Sequence, residues 1–186
     1  MLFRSLDDGA GVAIVTEAAR IIGNMKQRPR RSVRVVLYAN EEAGLFGGKA
    51  YAAAHKHELD RHIIGAESDF GAGLIYNFMP RVAEDALPTL KQMGDVLKPI
   101  GVEMGPNMGW GGPDIGPLRD LGMPVASLVQ DGSDYFDYHH TADDTLDKIN
   151  PESLNQNVAA YVVFAYLSAQ ATIPFKAMEN PTPVTH

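Results

Sequence analysis

Two adjacent glutamates, Glu41 and Glu42, follow directly on an apolar run, "SVRVVLYA", at residues 32–39. The end of a buried strand is a poor place for one carboxylate and a worse one for two. Burial and mutual repulsion both penalise the charged forms there. A metal ion beside the pair would offset that cost. Neighbouring side chains on extended chain point to different sides. One glutamate can therefore bind the metal while the other faces a substrate and takes a proton from a polarised water. Further candidates lie elsewhere along the chain. Asp7 and Asp8 stand before a Gly-Ala-Gly turn, Asp69 closes "IIGAESD", and His139 and His140 sit in "YHHTADDT" beyond "PVASLVQ". Carboxylates with an imidazole form a mixed oxygen and nitrogen donor set, which suits zinc. Each piece alone has a plainer meaning: a solvated turn, a helix cap, a structural strand end, a polar loop. Their repeated placement after apolar runs favours chemistry, because ligands of open α/β sheets collect at the carboxyl ends of strands.

The elements that would position these groups are legible from periodicity. Residues 9–26 repeat Val12, Val15, Ala18, Ala19 and Ile22 at helical spacing, and Asp7 or Asp8 can cap the start. The run at 32–39 is β-branched and nearly continuous in apolar residues, the pattern of a strand buried on both faces. Residues 45–56 are alanine-rich and predict a helix. Strands are predicted at 63–69, 73–78 and 124–130 and helices at 83–97 and 113–121, Pro88 falling in a first turn. Asn150-Pro151 opens a last helix. Strands alternating with helices predict an α/β fold, a three-layer α/β/α sandwich around a mostly parallel mixed sheet.

Composition narrows the function classes. The net charge of −7 and the absence of a basic stripe argue against nucleic acid, the cluster at 26–34 being read as a solvated loop. No apolar stretch approaches the ~20 residues of a membrane span. There is no cysteine, so redox compartment is left open. "MLFRS" runs into the first motif with no element ahead of it, and residues 1–5 are read as a non-native leader on a chain truncated upstream. Residues 6–175 then form one domain, and 176–186 a flexible tail. Trp110 lies beside glycines in "WGGPD", either as a cleft-facing group or as an apolar anchor.

Five segments in order, "LDDGAGVAI", "NEEAGLFGGKAY", "AESDFGAG", "GGPDIGPLRDLGMPVASL" and "DYFDYHHTADDTLDKI", resemble the co-catalytic zinc exopeptidases. That family includes bacterial leucyl aminopeptidases, aminopeptidase Y and glutamate carboxypeptidases, and the double histidine is most similar to carboxypeptidase Q-like members. The resemblance implies hydrolysis of peptides or dipeptides and two zinc ions in the full-length enzyme. It implies that Asp7 bridges the metals across a cis Asp7–Asp8 peptide, that Glu41 is the general base, and that Glu42 and His140 bind one zinc. Asp69 would bind the other, and Asp144 would orient an imidazole from behind the ligands. His139, Asp114 and Trp110 would lie behind the ligands or near the substrate. A histidine that relatives supply upstream of the bridging aspartate is missing, so one site looks complete and the other open. His139 also stands where several relatives have tyrosine. Two other expectations share the fold: a single-zinc acyltransferase resembling glutaminyl cyclases, and a non-catalytic binding domain. Relatives are often exported, which implies a periplasmic or secreted setting.

Overall fold

The computed structural model describes residues 4–178. Its centre is a mixed sheet of three strands, β1 (Ile75–Arg81), β2 (Glu103–Met104) and β3 (Val125–Gln130), in the order β2-β1-β3. β1 runs parallel to β2, with Asn77 opposite Glu103, and antiparallel to β3, with Phe78 opposite Leu128. Alternation along β3 sends Ala126 and Leu128 to one face and Val125 to the other. The first face packs on helices α1 (Ala10–Asn24), α3 (Leu87–Leu97) and α6 (Pro151–Gln170). The second packs on α2 (Phe46–His55) and α4 (Gly116–Asp120). The result is an α/β/α arrangement.

Local chemistry explains the helix boundaries. Asp8 Oδ1 accepts from Gly11 N–H at 2.9 Å and so satisfies one free donor at the start of α1. Ile14, Ala18 and Ile22, at i, i+4 and i+8, are the buried stripe of that helix. α6 begins at Pro151, and the Asn150 side chain accepts from Glu152 and Ser153 N–H. Pro88 falls in the first turn of α3. A short helix α5 (Tyr135–Tyr138) and the two-residue β2, which the sequence pattern does not suggest, complete the set.

Two strand predictions fail. Residues 32–39 form no strand and, among the described residues, join no sheet, and Leu37 is 55% exposed. The reason is a missing neighbour: a β-branched run is stable as a strand only when its backbone groups are paired and both faces covered. Residues 63–69 form no strand either, and touch the sheet through one parallel bridge, Gly65 to Val125. Arg4 and Ser5 N–H groups donate to the Asp144 carbonyl, and Lys176 C=O accepts from Ala83 N–H. Residues 1–3 of the predicted leader and 179–186 of the predicted tail lie outside the described residues.

Candidate metal centre

Each candidate group lies in a turn or at the end of an element. Asp7 precedes α1 and is joined to Asp8 by a cis peptide bond. Glu41 and Glu42 occupy the turn before α2, where Asn40 (φ 57°) and Leu45 (φ 59°) are left-handed. Asp69 closes the extended segment that bridges to β3, and His139 and His140 follow α5. His140 has φ 62°, a conformation uncommon for a residue with a side chain, and its ring stacks on His139 with centroids 3.7 Å apart.

These turns converge. Asp7, His139 and His140 each offer one ligand atom, and the three atoms lie within 4.8 Å of one another. His140 Nε2 is 3.2 Å and His139 Nε2 3.4 Å from Asp7 Oδ2. His140 Nε2 also lies 2.6 Å from Glu42 Oε1, whose other neighbour is the Arg4 guanidinium at 2.7 Å. Although the imidazoles are close, Asp7 Oδ2 is buried without a hydrogen bond of acceptable geometry. His139, read from sequence as a group near the substrate, therefore sits in the donor cluster itself.

Charge around the cluster is out of balance. Burial, then Glu42, raises the Asp7 carboxyl above the usual range. Burial and Asp69 push Asp8 up to about 8, and burial and Asp7 push Asp69 up to about 7. Burial and Glu42 raise Glu41. Glu42 goes the other way: burial works against its charge, but Arg4 and His140 hold it below the usual range. Four carboxyls that resist ionisation around two imidazoles form a cavity short of positive charge, which a cation would supply.

Asp144 is almost fully buried: its Oδ1 accepts from Leu6 N–H at 2.6 Å and its Oδ2 from Asp7 N–H at 3.2 Å. It fixes the backbone that presents Asp7. Asp114 is buried and its Oδ1 accepts from Gly48 N–H at 3.2 Å, tying the 110–114 loop to α2. Trp110 is 57% exposed with the Arg119 guanidinium 5.9 Å over its ring, so it is a surface group rather than an anchor. Glu67 was missed by the sequence reading. Its carboxylate accepts from Asp114 N–H (3.2 Å) and Ile115 N–H (2.8 Å), and burial pushes it up to about 8. The signal was available: a carboxylate two residues before Asp69 shares its side of an extended segment. Arg4, placed in the leader, is the other omission.

Comparison with known proteins agrees with this arrangement. Residues 5–165 match the family described as Peptidase family M28. Carboxypeptidase Q of Mus musculus and of Homo sapiens are each 32% identical over 165 residues, 89% of this chain and 35% of theirs. Leupeptin-inactivating enzyme 1 of Streptomyces exfoliatus is 25% identical over 206 residues, 96% of this chain and 45% of its own. The crystal structure of a Peptidase M28 precursor from Shewanella amazonensis SB2B is 56% identical and superposes with a TM-score of 0.92, covering 96% of this chain and 40% of that one. The chain thus spans less than half the length of these relatives. On the match over 5–165 and the shared fold, the chain belongs to peptidase family M28.

Proposed function

We propose that this chain is the metal-binding core of a zinc-dependent exopeptidase, which releases a terminal residue from a peptide or splits a dipeptide. The observation that carries the reading is Asp7 Oδ2, buried and without a hydrogen bond while two imidazole nitrogens converge on it at 3.2 and 3.4 Å. Leaving a buried acceptor unsatisfied costs about 1–3 kcal/mol, more for a charged group, and a cation relieves that cost. The donors fit zinc, which takes carboxylate oxygen and imidazole nitrogen together. Asp7, Glu42 and His140 would hold one ion. Asp7 and Asp69 would contribute to a second, and His139 stands within reach of the first group. Family membership supports the reading, as do the names of two relatives, a carboxypeptidase and an enzyme that inactivates leupeptin.

When bound, zinc supplies Lewis-acid polarisation of the scissile carbonyl and makes the attacking water more acidic. Glu41 takes the proton of that water and delivers it to the leaving amine. Its carboxyl is raised by burial and by Glu42, which moves a weak base toward neutral operation. Asp144 holds the Leu6–Asp7 backbone so that Asp7 keeps its aim. Trp110, exposed at the loop that Glu67 and Asp114 fasten, contributes an apolar surface for the substrate.

Elemental analysis of the folded, dialysed chain tests the reading. One zinc or more per chain, lost in Asp7→Asn and His140→Ala, is expected. A folded chain that never takes up zinc removes the proposal. In the full-length enzyme Glu41→Gln should keep the metal while hydrolysis of a dipeptide falls by about 10²–10⁴-fold. Cyclisation of an amino-terminal glutamine peptide, in place of hydrolysis, would turn the assignment to the acyltransferase reading.

A further inference from the structure

His139 and His140 are neighbours in sequence, and on extended chain their rings would point to opposite sides. Here they share one side. His140 has φ 62°, which turns its ring back over His139, and the two stack with centroids 3.7 Å and planes 22° apart. The buried Tyr135 packs against His139 with centroids 4.9 Å apart, and Phe136 meets its edge at 5.7 Å. The His139 N–H donates to the Tyr135 carbonyl at 2.9 Å, so backbone and ring are both held. Both imidazoles turn an edge to one atom. Nε2 of His140 is 3.2 Å and Nε2 of His139 3.4 Å from Asp7 Oδ2, yet among the described residues that buried oxygen accepts no hydrogen bond. A lone pair lies in the plane of its imidazole. Planes 22° apart and stacked at 3.7 Å converge far beyond the ~2.0–2.1 Å of a zinc–nitrogen bond, so one ion cannot lie in both. Two ions can, one in each plane. Two-metal hydrolytic sites hold their ions about 3.5–4 Å apart, which is the separation of the stacked rings.

We propose that His139 is a metal ligand in its own right: His140 binds one zinc with Glu42, His139 binds a second with Asp69, and Asp7 joins the two. The inference rests on the metal reading of Asp7, Glu42 and His140 above and supplies the donor that its second ion lacked. Glu42 Oε1 lies 2.6 Å from His140 Nε2, which commits His140 to the first ion. Asp69 is the remaining carboxyl. After burial, Asp7 is the strongest influence raising it, so the two acids are neighbours. Each ion then has two carboxylates and one imidazole and keeps a fourth position open, the pattern of catalytic zinc. A substrate-facing histidine needs a free nitrogen edge. The Nε2 edge of His139 is turned to a buried oxygen instead.

Zinc alone is the probe, titrated by calorimetry into the metal-free chain, with bound metal counted by elemental analysis. The native chain should take up two ions. His139→Phe keeps a flat ring in the stack and removes the nitrogen. It should hold one ion, the second binding at least about 100-fold more weakly, beyond the ~10–100-fold loss typical of residues that only steady a ligand. His139→Ala should behave alike and stands in should the phenylalanine variant misfold. X-ray absorption at the zinc edge needs no variant: the unsubstituted chain should show one imidazole per ion. One imidazole for every two ions overturns the proposal and leaves the metal reading standing, as does uptake of a single ion by the native chain. Both ions retained in His139→Phe, at native affinity or weakened less than about 100-fold, makes His139 a positioning residue at most and overturns it too. A native chain that binds no zinc sinks the reading beneath it as well.

Discussion

Replacing Asp144 by alanine examines how the structure aims Asp7. The Asp144 side chain is 1% exposed and accepts from two backbone amides, Leu6 N–H at 2.6 Å and Asp7 N–H at 3.2 Å. Alanine removes both acceptors and leaves two donors facing a small cavity. A hydrogen bond to a charged group contributes about 1.5–3 kcal/mol, and a long one sits at the low end, so the pair together is worth about 3–5 kcal/mol. The main-chain carbonyl of Asp144, which receives Arg4 and Ser5 N–H, is untouched, so the segment is loosened rather than released. Urea unfolding followed by circular dichroism should show an unfolding free energy lower by that amount, with the midpoint lowered and the slope unchanged. Zinc uptake should fall alongside, because Asp7 loses its fixed direction. Asp144→Asn keeps one acceptor oxygen and should lie between the two. A loss below about 1 kcal/mol for the alanine variant would mean that water or rearranged backbone satisfies those amides, and the argument for Asp144 as the support of Asp7 would fail.

Other consequences are more local. Gly48→Ala would place a Cβ 2.4 Å from the Asp114 carbonyl oxygen, which is backbone and cannot swing away, so α2 should be forced off the 110–114 loop at a cost of about 1–3 kcal/mol in unfolding free energy. Phe78→Ala, at the fully buried centre of β1, should cost about 3–5 kcal/mol in the same measurement. Glu58 is held down to about 2 by the His55 ring and then by Arg34. Because its folded pKa is depressed, its contribution is present above about 4.5 and disappears as pH falls toward 2. Thermal midpoints recorded between pH 6 and 2 should therefore converge for the native chain and His55→Ala at the acid end and separate above it.

The helices were legible because their signals are local. The stripe Ile14, Ala18, Ile22, the Asn150-Pro151 start and Pro88 in a first turn are each written within a few residues. The central strands at 75–81 and 125–130 were visible as apolar runs, whereas β2 consists of two residues and offers no period to read. The run at 32–39 shows the limit: its composition is that of a buried strand, but sheet membership depends on a neighbour.

The same division holds at the candidate site. Residue types drew attention to Asp7, Asp8, Glu41, Glu42, Asp69, His139 and His140, and the resemblance to the zinc exopeptidases singled out Asp7, Glu41, Glu42, Asp69 and His140 among them. Sequence could not say which of them touch. Bringing His139 to Asp7 across more than a hundred residues, setting Arg4 on Glu42, and turning Asp144 onto the backbone of Leu6 and Asp7 are outcomes of packing. Propensity and pattern act over a turn or a strand, so they determine which elements form and what chemistry their ends carry. Only the closure of α1, α6 and the sheet on one another decides distances between those ends, because long-range contacts are fixed by how the buried faces fit.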